Sequence, residues 1–83
     1  MMKLKVIDKV EKLTNVIEIS NVEYSEGDTA FRIWDTIGDM ALVKCKSVRE
    51  AEDCVRDLWR ADRAELLDAE VDWDHDDEDD FVQ

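Results

Sequence analysis

At Ser47 the spacing of apolar residues changes, and that change restricts the fold more than any other feature of the sequence. Before it, apolar side chains recur at every second position in short segments. After it, they recur at every third and fourth. A period of two belongs to strands half-buried on one face, and a period near 3.6 to a helix with one apolar stripe. The junction has its own punctuation. Ser47-Val48-Arg49-Glu50 carries the capping-box pattern, in which a serine accepts from the amide three residues on and a glutamate reaches back. A helix is expected from Val48. Its stripe is Val48, Ala51, Val55, Leu58 and Asp62, joined by Cys54, Trp59 and Leu66. Arg49–Asp53 and Glu52–Arg56 stand at helical spacing on the other face. With no Pro or Gly to stop it, the helix is expected to continue to about Leu67.

Upstream, four strands are expected. In Lys3–Val10, Leu4, Val6 and Val10 share one face, Asp8 intrudes, and Lys3, Lys5 and Lys9 take the other. Outward lysines suit an edge strand. Glu11–Asn15 reads as a connection. In Val16–Tyr24 the apolar phase slips after Ile19 to Val22 and Tyr24, so a bulge is expected at Ser20-Asn21. Ser25-Glu26-Gly27-Asp28 is a hairpin signal. Thr29–Asp35 follows, with Phe31 and Ile33 on one face and Ala30, Arg32 and Trp34 on the other. Ile37-Gly38-Asp39 turns the chain into Met40–Lys46, where Ala41, Val43 and Cys45 align. The expected fold is α+β: a four-stranded antiparallel meander packed on one C-terminal helix (β-β-β-β-α), then an acidic tail. Residues 1–67 form the compact domain in this reading and 68–83 the tail. At 83 residues the chain is one small domain with a modest core.

The charge divides at the same boundary. Residues 1–67 hold 14 acids against 11 bases, whereas 68–80 hold nine acids and no base, within a total of −12. Such a chain is not expected to bind nucleic acid directly, nor an anionic membrane, since like charges repel. Basic protein surfaces are its natural partners. Nothing resembles a transmembrane run or a cleavable signal, so a cytoplasmic setting is expected. Cys45 and Cys54 are nine apart, match neither a redox CxxC nor a zinc knuckle, and read as two reduced, buried thiols.

Enzymatic chemistry finds no support. Nucleophilic catalysis wants a nucleophile, a base and an orienting group, and the single imidazole, His75, sits inside the acidic run. Gly27 and Gly38 are isolated turn residues rather than parts of a phosphate loop. Asp72, Asp74 and Asp76 imitate the opening of a calcium-binding EF-hand loop, but Asp77 replaces the required glycine and Gln83 the closing glutamate. No metal or other cofactor is expected.

The acidic run has a pattern. Asp68, Glu70, Asp72, Asp74 and Asp76 occupy alternate positions, followed by Asp77, Glu78, Asp79 and Asp80. In an extended chain alternate side chains lie roughly 6.6–6.8 Å apart on one side. Two steps along one DNA strand rise about 6.8 Å. Ala69, Val71 and Trp73 occupy the opposite side, where they can dock on the domain or on a partner. In composition this resembles the small acidic nucleic-acid mimics that phages and mobile elements use against CRISPR or restriction enzymes. Those proteins share charge and size rather than sequence. The resemblance implies a non-enzymatic inhibitor that occupies the basic, nucleic-acid-binding surface of another protein. The expected contacts are the nine carboxylates, with Trp73 as anchor. The alternative is a small structural or regulatory subunit that binds through an exposed sheet face carrying Trp34, the acids serving only solubility.

Overall fold

The computed structural model describes residues 1–74. Its elements are β1 (Met2–Asp8), β2 (Leu13–Glu23), β3 (Ala30–Asp35), β4 (Met40–Lys44), α1 (Val48–Ala61), β5 (Arg63–Leu67) and β6 (Glu70–Trp73). All six strands join one sheet in the order β5-β1-β2-β3-β4-β6. β5 runs parallel to β1, and every other neighbouring pair is antiparallel.

The four expected strands and the hairpin turns are present, but β2 starts at Leu13, inside the segment 11–15 expected to be a connection, because Leu13, Thr14 and Asn15 pair with Asp8, Ile7 and Val6, and β4 ends at Lys44 rather than Lys46. Asp8 ends β1 by accepting from the amides of Val10 and Glu11, at 3.0 and 3.1 Å. Val10 therefore lies in the turn, 87% exposed, rather than on the apolar face with Leu4 and Val6. Gly27 and Gly38 turn the next two hairpins with φ of 91° and 97°, a region that costs glycine little. The β2–β3 register shifts between Ile19 and Asn21, the expected bulge. There the Ser20 hydroxyl donates to the Asp35 carbonyl at 2.8 Å. The first part of β2 pairs with β1 and the remainder with β3.

The helix begins where expected. The Glu50 amide donates to Ser47 Oγ at 3.1 Å. The reciprocal bond goes one residue further back than the box implies: the Lys46 amide donates to Glu50 Oε1 at 2.9 Å. Ala51, Cys54, Val55 and Leu58 are buried. The helix packs on β5, β1 and β3.

The end of the helix, and all that follows, corrects the expectation of a meander closed by a C-terminal helix. The helix is mid-chain. It stops at Ala61 because Asp62 adopts the left-handed conformation, φ 59°. Aspartate tolerates this region better than most residues, so neither Gly nor Pro is needed. The Lys3 amide then donates to the Asp62 carbonyl at 2.9 Å, opening the parallel ladder. Ala64 and Leu66 alternate inward from β5, beside Leu4 and Val6 of β1. β1 is consequently an interior strand, not an edge. Trp59, expected in the stripe, is 58% exposed.

β5 and β6 are the two outermost strands, yet only Asp68 and Ala69 separate them. Three Cα steps reach at most about 11 Å. The sheet must therefore curl until its two edges meet at this corner. The core fills the inside of the curl: Leu4, Ile19, Phe31, Ile33, Ala41 and Val43 from strands, capped by Ala51, Val55 and Leu58. The boundary placed after residue 67 falls between two strands of this sheet, with Val71 and Trp73 packed against the core.

Candidate acidic interface

The corner positions the acidic strand. Asp68 is left-handed, φ 55°. Its Oδ1 accepts from the Lys9 amide at 2.8 Å, and its Oδ2 lies 3.6 Å from Lys46 Nζ. The amide hydrogen bond, with the Lys46 charge helping, holds this carboxyl below its ordinary range. The Asp68 amide in turn donates to the Ile7 carbonyl at 2.7 Å. Asp68 thus spends its carboxylate inside the chain.

From Glu70 the chain alternates along β6. Val71 pairs with Val43 and Trp73 with Ala41, on the core side. Glu70 and Asp72 are exposed on the other side, in register with Lys44 and Leu42. Asp74 continues their phase, and its amide donates to the Met40 carbonyl at 2.9 Å. The row of alternate acids is therefore a property of the folded chain as far as Asp74. Asp76, Asp77, Glu78, Asp79 and Asp80, with His75, lie outside the described residues.

The row borders an apolar strip. On the outer face of β2, β3, β4 and β6, one line across the sheet is Asn21, Trp34 and Met40, ending beside Asp74. The next is Glu23, Arg32, Leu42 and Asp72. Arg32 Nη1 bonds Glu23 Oε1 at 3.2 Å, which turns its charge away from Asp72. Trp34, Met40 and Leu42 are half-buried. Trp34 does face outward, as its phase implied, in the company of Met40 and Leu42. That company was legible in Met40-Ala41-Leu42-Val43, a strand apolar on both faces.

Elsewhere, a groove of about 540 Å³ crosses the outer face of β5, β1 and β2. Lys3, Lys5, Val16, Arg63 and Glu65 line it, and Lys5 pairs with Glu65 at 3.6 Å. Among the described residues, its lining offers no imidazole, hydroxyl or thiol nucleophile. Cys45 and Cys54 are free thiols, the first half-buried and the second buried. Burial pushes them up to about 11 and about 12. At neutral pH both are held protonated, so neither is an activated nucleophile. Among the described residues no cluster of His, Cys, Asp and Glu could hold a metal ion, and no helix is long and apolar enough to cross a membrane.

Compared with known proteins, the chain matches no family model, no curated protein and no solved structure.

Proposed function

We propose that this chain is a non-enzymatic protein-interaction module. Its most specific form is an inhibitor that occupies a basic, nucleic-acid-binding surface of a partner protein, in the manner of phage anti-CRISPR or anti-restriction mimics. The observation that carries this reading is the outward row Glu70, Asp72 and Asp74 on a strand anchored from beneath by Val71 and Trp73. Strand geometry sets those carboxylates roughly 6.6–6.8 Å apart, close to the rise of two phosphates on one DNA strand. In sequence the row continues into five further acids through Asp80. A rigid row presents charge without the entropy loss of ordering a free tail, which favours binding. Asp68 acts as the corner that aims the row, and Trp73 as its footing.

A second reading has its own observation. Trp34, Met40 and Leu42 form an apolar strip beside the acids, the composition of an interface centre with a charged rim. In that reading the strip binds and the acids keep the protein soluble.

Competition separates the two. Partners captured on the intact chain are challenged with their nucleic acid, with and without saturating amounts of this protein. Mimicry requires displacement of the nucleic acid. It also requires loss of displacement when Glu70, Asp72, Asp74 and the five later acids become amides. Displacement that survives amidation but fails for Trp34→Ala would select the sheet face. Unchanged nucleic-acid binding by every captured partner would exclude mimicry.

A further inference from the structure

β2 is 11 residues long, and its two partners divide it. β1 pairs with Leu13–Ile19, while β3 begins only at Ile19. Among the described residues, the second edge of Leu13–Glu18 has no strand beside it. Natural edges of this kind are usually blunted by charges, prolines or bulges, since their open amides and carbonyls invite another strand. This one is not. Leu13-Thr14-Asn15-Val16-Ile17 is the longest stretch of the sequence without a charge. Leu13 and Val16 are each 57% exposed. Charge appears only at the two ends, with opposite signs: Lys12 just before the strand and Glu18 at its far side.

We propose that two copies of this chain pair edge to edge through Leu13–Glu18, antiparallel about a twofold axis at Asn15. The register follows from complementarity. With the axis at Asn15, Leu13 faces Ile17 of the second copy and Thr14 faces Val16, each pair occurring twice, and Lys12, left-handed in the turn just before the strand (φ 58°), stands at the end of the ladder beside Glu18 of the second copy. Moving the axis to Val16 sets Thr14 against Glu18 and Lys12 against Ser20. Moving it to Thr14 sets Glu11 against Ile17. Parallel pairing in register sets Lys12 against Lys12. Only the Asn15 axis matches charge with charge and apolar with apolar, and a twofold contact must be complementary to itself. The ladder is short, and each copy carries −12, so the association belongs to the weak class. At physiological salt the Debye length is about 8 Å, which screens the distant charges while leaving the end pairs in contact. The proposal stands apart from the acidic interface, which lies on β6.

The test is sedimentation equilibrium of the full chain from micromolar to millimolar concentration at ~0.15 M salt. A concentration-dependent dimer is expected. Lys12→Glu and Glu18→Lys should each weaken it about tenfold, because two attractive pairs become repulsive. They do so although the first makes the chain more negative and the second less. The double swap Lys12→Glu/Glu18→Lys should restore dimerisation, and so should an equimolar mixture of the two single variants. Both positions are exposed, and unchanged circular dichroism and unfolding midpoints verify the fold. A chain that stays monomeric throughout overturns the proposal. So does a pair of single variants whose effects simply follow net charge, or a swap that restores nothing.

Discussion

Asp68 Oδ1 accepts the amide of Lys9 at 2.8 Å, joining residues 59 apart in sequence at the point where the sheet closes on itself. The bond fixes the β1–β2 turn to the β5–β6 corner, and it works only while the carboxyl is ionised or otherwise a good acceptor. Its consequence for stability has a definite sign. The folded carboxyl titrates below its ordinary value, chiefly through that amide bond. The stabilisation is therefore complete above the unfolded value, about 3.9, and is lost as pH falls through the lower folded value. Asp68→Asn keeps an acceptor and tolerates the left-handed backbone, but removes the charge. Denaturant titrations should show the natural chain more stable than Asp68→Asn at pH 7, with the difference shrinking towards zero near pH 2. A difference independent of pH would show that the charge contributes nothing.

The same corner makes β6 part of the domain. A chain ending at Leu67 loses Val71 and Trp73 from the core and exposes the edge of β4. A chain ending at Asp74 keeps all of β6 and loses the five later acids together with His75, Phe81, Val82 and Gln83. The first truncation should unfold at clearly lower denaturant and the second should match the full chain or exceed it at low salt, where removing five like charges relieves repulsion. Trp73→Ala alone should cost about 1–3 kcal/mol, less than a fully buried tryptophan because the ring is half-exposed. Equal stability of the two truncations would contradict the pairing of β6 with β4.

At the start of the helix, Ser47→Ala removes the acceptor of the Glu50 amide. The expected loss is about 0.5–2 kcal/mol, measured by urea denaturation. Glu50→Ala frees the Lys46 amide instead. The two losses should not add, because the same first turn is frayed by either change.

What could be read from the sequence was local. Turns announced by Gly27 and Gly38, the phase slip at Ser20-Asn21 and the cap at Ser47 each depend on neighbours within a few residues, and each is present. The sequence misled where long-range pairing overrode a local pattern. Leu66 continues the stripe of Val55, Leu58 and Asp62 at helical spacing, so nothing local separates helix from strand beyond Asp62. The decision rests on β1, some 60 residues earlier, which offers Leu4 and Val6 to Ala64 and Leu66 across a parallel ladder. For the acidic row, the alternation of Glu70, Asp72 and Asp74 with Val71 and Trp73 was visible, but its place on β4 was not. Acidic residues disfavour strands, and only the apolar underside supplies the compensating burial. The role of Asp68 was hidden for the same reason: in a run of nine acids, nothing marks the one whose partners lie at Lys9 and Lys46.

Adjacent positions on the helix test its orientation. Leu58 is fully buried, whereas Trp59 is 58% exposed. Leu58→Ala should cost about 2–5 kcal/mol through lost burial and the cavity left behind. Trp59→Ala should fall within about 0.5 kcal/mol of the natural chain, as exposed positions usually do. Comparable losses at the two sites would mean that the stripe is rotated from the one described.

The thiol of Cys54 gives the fold a weakness at alkaline pH. Burial, with smaller contributions from Cys45, Asp57 and Glu50, raises it to about 12. An unfolded thiol ionises near 8.5, so the unfolded state releases its proton first as pH rises. Stability from this group is fully present below about pH 8.5 and declines from there towards the folded value. Cys54→Ala removes the titration, at the expense of a small cavity, and should flatten the fall in unfolding free energy between pH 8 and 10. Thiol modification follows the same logic. At pH 8 the folded thiol is almost wholly protonated, so a thiol-specific reagent should modify Cys54 only through opening of the helix against the sheet. Its rate should rise with urea in proportion to the unfolded population. Rapid labelling of Cys54 without denaturant, at a rate indifferent to urea, would show that the thiol is open to solvent and that the helix does not cover it.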